Sequence, residues 1–392
     1  VSDVAERLEE LRDRGLHRRL RLLAGPQGPR VELDGRPVLL LCSNNYLGLA
    51  EHPRVRDAAA EAALRWGAGA GASRLISGTM EPHRRLESRL AEFKGYEAAL
   101  LFGSGYLANT GAVAALAGRG EVVCSDQLNH ASIVDGCRLS RAETFVYRHG
   151  DLEHLAWGLR EAAGRASLIV TDGVFSMDGD LAPLPQLLEL ARRHDCRLLV
   201  DEAHATGTIG PGGRGSVAAA GLSGEVDVVV GTLGKALGSY GAYVCAGAET
   251  VDFLLNTARP FIFSTAPPPP SVAAAGAALE LVTAERVARL RSNADRFRSA
   301  LAAEGLDSGA ARTQIVPVEV GGAEATMALC ERLLESGVFA QGIRPPTVPA
   351  GSSRLRFTTM ATHGEEELAR AAALVGEAAR EAGLTAPLAR AA

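Results

Sequence analysis

The stretch Val226-Asp-Val-Val-Val-Gly-Thr-Leu-Gly-Lys-Ala-Leu-Gly238 opens on a valine-rich run and closes on a glycine-rich turn that carries a lysine. An unbroken run of β-branched residues suits a strand buried on both faces, and the glycines mark its end. Lys235 therefore stands where a strand gives way to a loop. It is conspicuous because the chain holds two lysines, Lys94 and Lys235, among 41 Lys and Arg residues. An Arg-, Ala- and Gly-rich composition produces such scarcity without any function, so rarity alone proves nothing. Lys94, in Leu90-Ala-Glu-Phe-Lys-Gly-Tyr96, has an ordinary explanation: it closes a helical stretch, where a cation complements exposed carbonyls and glycine ends the helix.

Outward from this stretch, short apolar runs alternate with helix-like segments. They are Ala98-Phe102, Glu121-Cys124, Thr144-Tyr147, Ser167-Thr171, Arg197-Val200, Val226-Gly231 and Gly241-Cys245. Strands alternating with helices imply βαβ units around a mostly parallel sheet, an α/β architecture. In open sheets of this kind ligands bind at the carboxyl ends of the strands, where Asp172, Asp201 and Lys235 lie. From about residue 275 the pattern changes to a long Ala/Leu/Arg helix, strands near Gln314-Val320 and Arg354-Thr358, and an amphipathic helix from about Gly364. This predicts a smaller α+β domain. Pro267-Pro-Pro-Pro270 supplies no donors and is expected to be the joint. The predicted division is a 1–44 segment, helix plus strand, joining the small domain, a large domain over 45–266 and a small domain over 271–392.

Composition narrows the function. The 392 residues are 47% hydrophobic with a net charge of -5, and no basic stripe points to nucleic acid. Six cysteines lack zinc spacing, so no metal site is expected, and reduced thiols in the cytoplasm fit. The first residues, Val1 to Leu23, follow a helical period of Glu, Arg and Leu without the apolar core of a signal peptide, and no run reaches transmembrane length.

Four motifs carry chemistry. Gly103-Ser-Gly-Tyr-Leu-Ala108 satisfies G-x-G-x-x-G/A after a strand, yet backbone amides at a helix start hold any phosphate, so it indicates an anion site before a dinucleotide. Asn129-His130-Ala-Ser132 offers an imidazole that either stacks on a flat ligand or packs structurally. Asp201-Glu-Ala-His204 places a carboxylate at a buried strand end, as partner to a cationic ring nitrogen or as a helix cap. Phe175-Ser-Met-Asp-Gly-Asp180 contributes Ser176 as a donor. A P-loop is excluded because Ala236 follows Lys235 where Ser or Thr is required. A nicotinamide dehydrogenase would rest on Gly103 to Ala108 alone. Pyridoxal phosphate needs a lysine, an acid for its ring nitrogen and donors for its phosphate, and so gives every motif a joint role.

These motifs, with Ser43-Asn-Asn-Tyr-Leu-Gly-Leu49 and Gly231-Thr-Leu-Gly-Lys235, resemble the α-oxoamine synthases, fold-type I enzymes that use pyridoxal phosphate. The resemblance runs from about Arg18 to His363, and implies a large domain with a mostly parallel seven-stranded sheet and a smaller α+β domain. It implies that Lys235 forms the Schiff base, Asp201 pairs with the ring nitrogen and His130 stacks on the ring. His204 would contact the phenolic oxygen, while Ser176, Thr232, Gly105 and Tyr106 hold ring and phosphate. Ser264 and Thr265 match a segment that reaches the neighbouring subunit's phosphate, which implies a homodimer with shared active sites. Arg356, with Asn44, matches the binder of the amino-acid carboxylate; Arg18, Arg344 and Thr347 match the acyl end. Ile343-Arg-Pro-Pro-Thr-Val-Pro-Ala-Gly351 and Ser353-Arg-Leu-Arg356 are most similar to the branch that joins L-alanine to pimeloyl-CoA or a pimeloyl carrier protein. Glycine-using relatives share the other motifs, so these fix the chemistry better than the substrate. Asn45 stands where the family more often has Asp, and a catalytically silent partner subunit is set against by the presence of Lys235.

Overall fold

Seven strands form the main sheet of this computed structural model, which describes residues 3–384. Their order across the sheet is Ala98–Phe102, Ala242–Ala246, Val228–Thr232, Arg197–Asp201, Ala166–Asp172, Val122–Asp126 and Glu143–Tyr147. The last five are mutually parallel, and Ala242–Ala246 runs antiparallel to both of its neighbours. Alternation within each strand divides two cores. Val228 and Val230, Leu199, and Leu168 and Val170 pack with helix residues Ala112, Val113 and Ile133 on one face. Val229, Leu198 and Val200, and Ile169 pack with Leu155, Leu159, Leu187 and Leu188 on the other. With both faces covered, the strands read as continuous apolar runs, and each fully buried Val or Leu contributes about 1.5–3 kcal/mol.

Parallel direction brings four neighbouring carboxyl ends to one rim. In sheet order these ends are Thr232, Asp201, Asp172 and Asp126, with Asp172 and Asp201 in direct register. This is the site-bearing edge of an open α/β sheet.

The chain divides into two compact units, a larger one of Asn44–Ser176 with Asp180–Ala288 and a smaller one of residues up to Ser43, Met177–Gly179 and those from Arg289 onward. Pro267 to Pro270 do not separate them, contrary to expectation. Pro269 opens the helix Pro269–Glu280 in the larger unit, where prolines of the first turn lack only N–H groups that would have no helical partner. The division falls instead between Ala288 and Arg289, inside the helix Ala284–Ala303. The expected long helix from 275 is thus two helices, broken at 281–283.

The smaller unit holds an antiparallel sheet in the order Ile315–Gly321, Ser353–Thr358, Gln341–Ile343, backed by helices Ala323–Glu335 and Glu365–Glu381. A second sheet orders Leu23–Ala24, Arg30–Leu33, Arg36–Leu40 and Val338–Phe339, so the N-terminal chain and the C-terminal half share a core. Among the described residues no helix is long and apolar enough to cross a membrane.

Candidate active site

Helix Gly105–Leu116 begins where the first strand of the sheet ends. Ser104 caps it, its Oγ accepting from Leu107 N at 3.3 Å. The first amides of a helix have no intrahelical acceptor and carry the positive end of its dipole, and Gly105 and Tyr106 occupy those positions here. One helical turn on, Asn109 lies buried and donates through Nδ2 to Asp201 Oδ2 at 2.6 Å and Ser132 Oγ at 2.9 Å.

Asp201 is also held by Ala203 N, which donates to Oδ1 at 2.8 Å. The strand end thereby keeps a buried carboxylate satisfied by one amide side chain and one backbone N–H. Asp172, next to it in register, accepts from His130 N at 2.8 Å. Burial and the Asp201 charge push its pKa well above the ordinary carboxylate range. His130 is bonded through Nδ1 to Ser132, with Oγ at 2.7 Å. Its residue surface is exposed, yet the protein packed behind the ring lowers its pKa; the Asp201 charge opposes this and Lys235 adds to it.

The turn after the Val228–Thr232 strand presents Lys235, whose Nζ lies 2.8 Å from His204 Nε2. His204 Nδ1 in turn lies 2.7 Å from the hydroxyl of Tyr46, which donates to Asn44 Oδ1 at 2.9 Å. Asn45, beside it, accepts at Oδ1 from Leu49 N (3.0 Å) and Ala50 N (3.2 Å), so the amide closes the turn through oxygen as a carboxylate would. At the rim, His149 spans two carboxylates, Nδ1 to Asp126 at 2.9 Å and Nε2 to Asp180 at 2.8 Å. Those bonds raise its pKa to about 10.

Gly105, Tyr106, His130, Asp201, His204, Thr232 and Lys235 line a single cavity of about 200 Å³ with Asn109, Ser132, Asp172 and Ala203. Ser176, Ser264 and Thr265 stand outside its lining, as does Asn44. In the smaller unit, Arg18, Arg344 and Thr347 line a cavity of about 660 Å³ together with Arg19 and Arg21, which pair with Glu331 at 3.2 and 2.5 Å. Arg356 lies buried on the Ser353–Thr358 strand, outside that lining. The sequence reading gave Asn109 and Tyr46 no role, and Asp172 only a place at the ligand-binding strand ends. Asn109 was findable, being one helical turn beyond Gly105 and so on the same face. Lys94 was misread. Gly95, at φ 77°, does end its helix, but the Lys94 ammonium turns inward to Glu202, Thr206 Oγ1 and the Arg214 carbonyl rather than to the helix carbonyls.

The residues 36–375 match the model of the family described as aminotransferase class I and II. The chain belongs to that family. Within it, the chain belongs to the α-oxoamine synthases, pyridoxal-phosphate enzymes of fold type I. It is 58% identical over 377 residues to the 8-amino-7-oxononanoate synthase of Geobacter metallireducens, covering 95% of this chain and 96% of that one. A serine palmitoyltransferase variant from S. paucimobilis, solved with a bound PLP–myriocin aldimine, superposes with a TM-score of 0.92 at 33% identity, over 97% of this chain and 98% of its own. The 8-amino-7-oxononanoate synthase of Francisella tularensis gives 0.76 at 27% identity, over 88% and 98%. The cavity fits the family's cofactor on its own chemistry. An amine, a buried carboxylate and a helix N-terminus surround a space for one small ring. The Asn109 carbonyl oxygen, buried beside Asp201 without a partner among the described residues, leaves an acceptor for a ring N–H.

Proposed function

We propose that this enzyme is an acyltransferase of biotin biosynthesis that condenses L-alanine with a pimeloyl thioester, on CoA or a carrier protein, to give 8-amino-7-oxononanoate, free thiol and carbon dioxide. The observation that carries the reading is the 58% identity, across nearly the whole of both chains, to a relative named for that product.

Pyridoxal phosphate, when bound, supplies an electron sink that stabilises a carbanion at the amino-acid α-carbon. Around it we assign the chain's residues as follows. Lys235 would hold the cofactor covalently, and its amine, when free, would take the α-proton. Asp201, held in place by Asn109 and Ala203 N, would pair with the ring nitrogen. His130 stacks on the ring, and its lowered pKa keeps the imidazole neutral near pH 7. His204, Ser176 and Thr232 orient the ring, and Gly105 and Tyr106 hold the phosphate. Arg356 and Asn44 take the amino-acid carboxylate; Arg18, Arg344 and Thr347 take the acyl end. Ser264 and Thr265, outside their own chain's cavity lining, serve a second copy in a homodimer. A cytoplasmic setting is supported by six free thiols among the described residues.

The test is a matrix of amino acids and acyl thioesters scored by thiol release and product mass. Alanine with a pimeloyl thioester is expected to lead. A preference for glycine with an acetyl, succinyl or palmitoyl donor overturns the substrate assignment in favour of a 2-amino-3-ketobutyrate CoA ligase type, and leaves the cofactor chemistry intact.

A further inference from the structure

We infer that Tyr46 is a positioning residue that fixes the tautomer of His204, and that His204 so fixed takes the proton from Lys235 when this amine condenses with an aldehyde. Tyr46 is fully buried, and its ring is anchored in the first turn of the larger unit. A phenol has one proton to give. Asn44 Oδ1, 2.9 Å away, can only accept, so the hydroxyl makes both of its hydrogen bonds only by donating to Asn44 and accepting from His204 Nδ1, 2.7 Å away. The ring proton of His204 is therefore on Nδ1, and the lone pair of Nε2 faces Lys235 Nζ at 2.8 Å. Thr208 Oγ1, donating to the His204 carbonyl at 2.8 Å, holds the backbone of that residue.

An ammonium has no electron pair with which to attack a carbonyl. With Nε2 as acceptor, the Lys235 ammonium passes one proton to His204, and the neutral nitrogen adds to the aldehyde carbon. The nitrogen's own proton moves to the former carbonyl oxygen. The imidazolium then returns its proton to that hydroxyl, which leaves as water while a protonated C=N bond forms. Ammonium and aldehyde thus yield iminium and water, and His204 ends as it began. The opposite tautomer would turn an N–H toward Lys235 and block the first step.

The inference rests on Lys235 as the attachment residue, and the experiment separates the two. Full-length protein freed of cofactor and labelled with 15N-histidine is read by NMR for the His204 tautomer. Borohydride-trapped attachment of pyridoxal, an aldehyde without the phosphate, is followed over time with peptide mapping. The expected result is a proton on Nδ1 in the wild type. In Tyr46→Phe the tautomers mix, and in Asn44→Ala the hydroxyl turns toward Nδ1 and moves the proton to Nε2. Trapping at Lys235 then slows at least about ten-fold in both variants. A proton on Nε2 in the wild type, or trapping at the wild-type rate in both variants, overturns the inference. Should Tyr46→Phe not fold, the wild-type spectrum and Asn44→Ala still decide it. Attachment mapped to Lys94 sinks the lysine assignment instead, and the tautomer measurement stands apart from it.

Discussion

Lys94 and Lys235 are both served by the turn Asp201-Glu-Ala-His204, and their surroundings differ in kind. Glu202 turns to Lys94, and both side chains are almost wholly buried, at 0% and 2% exposure. Glu202 Oε1 also accepts from Ser216 Oγ at 2.8 Å and Val217 N at 2.7 Å, so this pair is closed on every side. His204 turns to Lys235, half-buried at the edge of a cavity. Lys94 is therefore spent on a closed internal contact that no ligand reaches, whereas Lys235 stands at a cavity wall where one can. Burial alone would have ranked the two lysines the wrong way round for chemistry.

The strongest way to break this contrast is Lys235→Ala, which is expected to abolish borohydride-trapped cofactor attachment and the visible absorbance of the protein. Attachment that persists would move the chemistry to Lys94. Next in size, Lys94→Met strands a buried Glu202 and should cost about 3–5 kcal/mol in denaturant unfolding, most of it restored by adding Glu202→Leu. If Lys94→Met instead unfolds like the wild type, the closed pair is not what holds that turn. Asn109→Ala removes a charge-assisted hydrogen bond from Asp201 and should lower stability by about 1.5–3 kcal/mol, with weaker cofactor binding by equilibrium dialysis.

A third cation sharpens the comparison at smaller scale. His149 lies between Asp126 and Asp180, and its pKa rises from an ordinary 6.5 to about 10. A raised folded-state pKa means its contribution is complete below about pH 6.5 and is lost as the pH climbs to about 10. Stability should fall across that window with a slope of at most about 1.4 kcal/mol per pH unit from this residue. His149→Gln should flatten the slope, and an unchanged slope would assign it to other groups.

The sheet was legible because each of its central strands is buried on both faces, which leaves an apolar run that no other structure explains as well. Its ends were read one or two residues out, since Asp126, Asp172 and Asp201 are polar residues still inside their strands. The N-terminal sheet was less legible. Arg30–Leu33 and Arg36–Leu40 are short and half-exposed, and one partner, Val338–Phe339, lies about 300 residues away in the sequence. Lys235, Asp201, His130 and His204 stood out by residue type at strand ends. Tyr46 and Glu202 did not, because each acts through a partner 158 or 108 positions away, and nothing local marks a hydrogen bond of that span.

The helix N-terminus at Gly105 and the carboxylate of Asp201 face a common cavity, and together they form a fixed pair of opposite poles. A molecule with an anion at one end and a cationic nitrogen at the other feels a torque in such a field before it touches the walls. Arrival and alignment become one event, so association should slow as ionic strength rises, even though the chemistry that follows needs no net charge at all.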